Sequence, residues 1–120
     1  MPSNFRRIVD QVVALPNRDP GEGEDARVQV LPFSTIGMRV DQESVLFYRV
    51  DPSDNVVTLR VEINGVSIHQ PEVKFKEETR TFHEVVNSGT LKNTGNELTL
   101  RLLSGGSINV SDIVLLYREQ

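Results

Sequence analysis

The chain reads as an all-β protein, an antiparallel β-sandwich of jelly-roll type, and three features of the sequence predict it. Leu98, Leu100 and Leu102 fall on alternate residues with polar side chains between them, as a strand with one solvated face requires. Val57, Leu59, Val61 and Ile63 repeat the pattern against Thr58, Arg60 and Glu62, and Asn64-Gly65 follows at once. That dipeptide suits a type I′ hairpin, whose two central residues both need positive φ. Further runs of this kind recur at roughly 8–12-residue spacing with turn residues between them, the rhythm of two packed antiparallel sheets. An immunoglobulin-like arrangement is the alternative, but its Cys and Trp landmarks are missing, since the chain contains neither residue.

Taken in order, strands are expected at about 5–15, 26–31, 36–40, 44–50, 56–64, 72–76, 79–86, 96–103 and 107–117. The first could be written as a short helix over 7–15. Its β-branched Ile8, Val9, Val12 and Val13, with Pro16 after them, favour the extended form. Residues 16–25, rich in Pro, Gly and acid, form a loop. Val66-Ser67-Ile68 returns antiparallel after Asn64-Gly65, and Leu91 to Gly95 is a polar turn. Ser104-Gly105-Gly106-Ser107 is expected to reverse the chain as a hairpin between 96–103 and 107–117. In the last strand Ile108 and Val110 set one phase, while Ile113, Leu115 and Tyr117 follow the other, which implies a β-bulge near Ser111-Asp112 or a sheet corner.

Composition narrows the function. At 120 residues the chain is one domain, 1–120, long enough to bury roughly two-thirds of the surface it exposes unfolded. No apolar run approaches the roughly 20 residues of a membrane span, so no membrane partner is expected. The start alternates apolar with polar residues where a signal peptide needs a continuous apolar core, so the default placement is cytoplasmic. Without cysteine there is no disulfide, thiol nucleophile or thiolate metal site. Net charge is −4, with 7 basic and 9 acidic residues in 1–60 and 6 and 8 in 61–120. Lys74 and Lys76 run straight into Glu77 and Glu78, so no basic face for nucleic acid is expected.

No catalytic motif is present: there is no Gly-x-Ser-x-Gly elbow, no P-loop and no dinucleotide fingerprint. Glu77 and Glu78 are adjacent and so point to opposite faces of a strand, which prevents them from flanking one bond together. Asn109-Val110-Ser111 is a glycosylation sequon only formally, since it falls within a strand. An enzyme is not expected.

Arg60-Val61-Glu62-Ile63-Asn64-Gly65, Thr81 to Val86, Gly95-Asn96-Glu97-Leu98-Thr99-Leu100 and Val110-Ser111-Asp112-Ile113-Val114-Leu115 together resemble the galactose-binding-domain-like jelly rolls. That superfamily includes carbohydrate-binding modules and the accessory sandwiches of glycoside hydrolases and polysaccharide lyases. The resemblance covers roughly residues 44–118 and implies a non-catalytic, lectin-like module. It also implies that Asp112, just before the final hydrophobic strand, helps hold a structural calcium with Glu22, Glu24 and Asp25, calcium being content with loop oxygens. The other reading of Asp112 is that it accepts backbone N–H groups at the bulge, with the acidic loop simply solvated. His69 and His83 are too far apart in sequence for a familiar metal spacing. His83 is expected opposite Phe82 and partly exposed, and Tyr117 in the core or at a sheet edge.

The expected ligand is a carbohydrate held by polar or amphipathic groups at strand ends and turns: Arg39, Tyr48, Asn64, His69, His83 and Asn87. The alternative is a structural or assembly protein that uses a sheet face against another copy or a larger particle, anchored by Phe33, Phe47 and Phe75.

Overall fold

The computed structural model describes residues 3–8, 12–17, 21–23, 25–39, 41–52, 56–69, 72–74 and 80–118, and every regular element among them is a strand. Strands β1 (Ser3–Arg7), β10 (Ile108–Arg118), β4 (Ser44–Pro52) and β8 (Arg80–Val86) lie in that order in a first sheet, with β2 (Val13–Leu15) also on β10. The second sheet runs β3 (Val28–Phe33), β9 (Asn96–Ser104), β5 (Val56–Ile63) and β6 (Val66–His69), with β7 (Glu72–Lys74) also on β5. All pairings are antiparallel and they nest: β1 with β10, β3 with β9, β4 with β8 and β5 with β6. The chain is therefore one long hairpin with its tip at β5–β6, rolled so that successive rungs fall alternately in the two sheets. This is the jelly-roll arrangement the sequence predicts.

The core lies between the sheets and is built by alternation. Leu46, Tyr48 and Val50 face in from β4, and Val57, Leu59, Val61 and Ile63 from β5. Leu98, Leu100 and Leu102 join them from β9. Burying each of these apolar side chains contributes about 1.5–3 kcal/mol against the entropy of ordering the chain.

The bulge in β10 is where it was expected. Ser111 pairs with Arg49 and Val114 with Phe47, so Asp112 and Ile113 together oppose Tyr48. Asp112 adopts φ 50°, and the extra residue lets Ile108 and Val110 before it, and Ile113, Leu115 and Tyr117 after it, all point inward. Because Asp tolerates this left-handed conformation better than a β-branched residue does, Asp112→Val is expected to cost about 1–2 kcal/mol. Asp112→Gly should stay within about 0.5 kcal/mol of the parent, since its freedom of φ offsets the lost side chain. Urea midpoints at unchanged m-value measure both.

At the β5–β6 turn Asn64 and Gly65 take φ 51° and 81°, as the type I′ reading requires. Asn64 then ties the hairpin to β9: its Nδ2 donates to Thr90 C=O (2.8 Å) and to Asn96 Oδ1 (3.0 Å), while its Oδ1 accepts from Glu97 N–H (2.9 Å). Asn96, fully buried, accepts from Lys92 N–H (2.8 Å) and donates to Lys92 C=O (2.7 Å), which closes the 91–95 turn. The Asn-Gly and Gly-x-x pattern around β9 is thus a structural clasp, fully satisfied as a buried polar group must be.

Four expectations need correction. The segment 5–15 is two strands, β1 and β2, with a bend at Ile8. Of the strand expected at 36–40, residues 36–39 do not form one: Met38 N–H donates to Thr35 C=O (3.1 Å) across a turn that Gly37 makes at φ 86°, and Met38 enters only a single bridge. The strand expected at 26–31 begins at Val28 and runs to Phe33, which buries the Phe33 ring and removes it as a surface anchor. Ser104–Ser107 is not a hairpin, because β9 and β10 belong to different sheets; it carries the chain around the corner of the sandwich.

Candidate functional site

The outer face of the first sheet gathers ring and aliphatic surface that the core does not use. Along β4 the residues between the inward ones are Val45, Phe47, Arg49 and Asp51, so Val45, Phe47 and Arg49 project outward in a row about 13 Å long. The register sets Val85, His83 and Thr81 of β8 beside them on one flank. On the other flank stand Leu116 and Val114 of β10, directly opposite Val45 and Phe47.

At the centre, the Phe47 and His83 rings are paired with centroids 6.0 Å apart and planes inclined at 35°. This is an ordinary cross-strand aromatic contact, which leaves one edge of each ring available on the sheet face. His83 is exposed and lies opposite Phe82, as the alternation implies, whereas Phe82 turns toward the core and stacks on Tyr48 at 5.4 Å.

Where β4 begins and β8 and β10 end, the face opens into a groove of about 510 Å³. Val45 and Leu116 form its apolar floor, and Asp41, Gln42, Glu43, Ser88 and Arg118 its polar walls. The wall is braced. Arg39 N–H donates to Arg118 C=O (2.7 Å), and the Arg39 guanidinium holds Asp41 through Nε (3.3 Å) and Nη2 (3.0 Å). That hydrogen bond keeps the Asp41 carboxyl below its ordinary value against the opposing effect of desolvation, with the guanidinium's charge a lesser help. At the other end Arg49 and Asp112 stand 3.9 Å apart, both side chains more than half exposed, so the pair is weak and open to competition by a ligand.

The structure distributes the sequence candidates unevenly. His83 lies on this face, and Arg39 braces its groove. Asn87 is exposed, its carbonyl accepting Thr90 N–H at 3.2 Å in the turn next to Ser88. Asn64 belongs to the β5–β6 clasp on the second sheet, and its amide is spent there. Tyr48 is corrected outright: at 1% exposure it faces the core, and desolvation, with the charge of Glu84 second, pushes its hydroxyl's pKa up. The backbone of His69 closes β6 against Val61. Phe75, Glu24, Glu77 and Glu78 lie outside the described residues.

Among the described residues no three His, Asp or Glu side chains gather as a ligand set for a metal ion. Asp25 accepts Arg27 N–H (2.9 Å), Glu22 is exposed, and Asp112 has Arg49 as its counter-charge. The residues that sequence reasoning missed are Val45, Leu116, Asp41, Gln42, Glu43, Ser88 and Arg118. The sequence carries no signal for Val45, because residues 45–48 are all apolar or amphipathic and do not mark which face is inward.

No family model and no curated protein matches the chain in sequence. Solved structures do resemble it. The C-terminal domain of EclA, described as a sugar-binding protein, matches with a TM-score of 0.62 over 89% of this chain and 78% of that one, at 12% identity. Dimeric latent PorU from Porphyromonas gingivalis matches with a TM-score of 0.57 at 12% identity, over 95% of this chain and 13% of its own. The CBM22-1–GH10 modules of Clostridium thermocellum endo-1,4-β-D-xylanase 10B, solved with xylohexaose, match with a TM-score of 0.51 at 12% identity, over 98% of this chain and 26% of theirs. The likeness is one of fold. The PorU and xylanase matches each take in only a small part of a much longer chain, and among the described residues of this one no helix is long and apolar enough to cross a membrane.

Proposed function

We propose that this chain is a non-catalytic carbohydrate-binding module whose ligand lies along the outer face of the first sheet. The observation that carries the reading is the Phe47–His83 ring pair continuing into a groove with an apolar floor and polar walls. A sugar ring has apolar C–H faces and a rim of hydroxyls, so it needs ring or aliphatic surface beneath it and charged or amide groups beside it. Phe47, Val45 and Leu116 supply the first; Asp41, Gln42, Glu43 and Ser88 supply the second. Sugar-binding proteins among the structures of like fold support the class of ligand, and the face itself supports the place.

A glycan array on the purified protein, read with calcium and again with chelator, tests this. Binding to one neutral glycan family is expected, and the comparison of the two conditions tests the calcium reading of Asp112. Signal lost on chelation would support that calcium reading. Phe47→Ala should weaken that binding at least about ten-fold, close to 1.4 kcal/mol, while costing no more than about 1 kcal/mol of stability, the worth of its cross-strand pair with His83 on a half-buried face. Flat arrays, together with a dimer by light scattering that Phe47→Ala dissociates, would move the same face to the assembly reading, in which another copy of the chain covers it.

A further inference from the structure

On the opposite side of the sandwich, the outer face of the second sheet contains an arrangement that folding alone does not explain. Arg60 of β5 and Arg101 of β9 are direct cross-strand partners. Like charges in that relation destabilise a sheet, so two arginines here carry a cost that a neutral pair would not. One carboxylate holds them both. Glu62, two residues along β5 on the same face and 7% exposed, accepts from Arg101 Nε at 2.9 Å, and its Oε1 lies 3.1 Å from Arg60 Nε. The second contact is an ion pair by distance only: Arg60 Nε is buried and its N–H does not meet hydrogen-bond geometry with any acceptor.

The balance is one negative charge for two positive ones. Glu62 engages both guanidinium groups at their Nε, the inner corner of the fork, and among the described residues it is the one ion-pair partner of either. Both arginine side chains stay about two-fifths exposed, so their terminal amino groups face solvent with donors to spare. Two such forks side by side match the paired oxygens of a carboxylate or sulfate. Next to Arg101 the face opens into a second groove of about 360 Å³, lined by Val28 and Val30 of β3 with Gln29 and Asp25. An isolated inorganic anion would gain nothing from valines and would be repelled by Asp25. A sugar ring that carries an acidic group suits all of them: its anion on Arg60 and Arg101, its C–H face on the valines, its hydroxyls on Asp25.

We infer that the outer face of the second sheet is a second binding site, taking an acidic saccharide through Arg60 and Arg101. This does not depend on neutral-sugar binding at Phe47, which lies on the other sheet. The test is calorimetric titration with oligogalacturonate and with its methyl ester, in which the charge is removed and the sugar kept. The acid should bind and the ester should not, affinity should fall with added salt, and Arg101→Gln should reduce it at least about ten-fold while Phe47→Ala leaves it unchanged. Glu62→Gln gives the sharper readout. It adds one unit of net positive charge at the site, so acid binding should tighten several-fold even as stability falls, whereas a purely structural ion cluster would lose stability and gain no affinity. Should Glu62→Gln not fold, the Arg101→Gln comparison carries the test alone. Absence of binding to the acid, equal binding of acid and ester, or loss on Phe47→Ala with none on Arg101→Gln would each overturn the proposal. Sodium sulfate binding as tightly as the oligosaccharide would overturn the saccharide assignment.

Discussion

Tyr48→Ala is expected to cost about 3–5 kcal/mol of stability, the range for emptying a buried aromatic site in a well-packed core. The ring is 1% exposed, stacks on Phe82 at 5.4 Å and lies under the bulge where Asp112 and Ile113 oppose it. Neighbours on a sheet cannot collapse into the space without breaking the ladder, so little of the cavity would be recovered. Domains of this size hold about 5–15 kcal/mol in all, so this one change could leave a substantial fraction of the chain unfolded at physiological temperature. Chemical denaturation followed by far-ultraviolet circular dichroism measures the loss. The comparison with Phe47→Ala is the useful part: adjacent aromatic residues on one strand should separate cleanly, Tyr48 into stability and Phe47 into binding. A Tyr48→Ala protein with normal stability and impaired binding would mean that the β4 phase is the reverse of the one described.

The Asn64–Asn96 clasp should be almost as costly to break. Asn96→Ala removes both bonds to Lys92 and the one from Asn64, and leaves the buried ends of those groups with no substitute partner. At about 1–3 kcal/mol for a buried polar group left unsatisfied, a loss above 2 kcal/mol is expected. Asn64→Gly separates the two contributions of its residue, because glycine keeps the φ of 51° without strain but cannot make the amide bonds. Its cost should come from those bonds, about 1–2 kcal/mol, with hydrogen exchange quickened at Glu97 N–H, which Asn64 Oδ1 accepts. Protection unchanged at Glu97 would argue against the clasp.

Sequence made some of this legible and left the rest dark, and the division is physical. Strands with one apolar face, such as β5 and β9, announce themselves because alternation maps directly onto inside and outside. The Asp112 bulge was readable for the same reason, as a break in phase between Val110 and Ile113. Asn64-Gly65 was readable because few residues accept two successive positive φ angles. β4 was not: Val45, Leu46, Phe47 and Tyr48 are all apolar or amphipathic, so both faces look buried and the phase has no marker. Tyr48 was assigned to a ligand as an amphipathic residue expected near a strand end, and nothing in the run marks it as inward. Ser104–Ser107 failed differently, since a glycine-rich link of four residues has the same composition whether it reverses within a sheet or crosses to another. Only the partners of β9 and β10 decide it. The arginine pair was invisible because Arg60 and Arg101 are far apart in sequence, and only the register of β5 on β9 sets them side by side.

The position of β10 sets a schedule for folding. It is the last strand described in the chain, yet it pairs with β1, β2 and β4 and so fills the middle of the first sheet. Until it is made, β1 and β2 have no rung to join and β4 has one bare edge, so half of the sandwich stays open while the β5–β6 hairpin and its neighbours already stand. The β1–β10 rung joins residues more than a hundred positions apart in sequence, the longest-range pairing in the sandwich and the slowest to find. Any stage of folding that precedes the docking of β10 therefore has an exposed sheet edge waiting for its central strand, and that interval is when the protein is most open to pairing with a stranger.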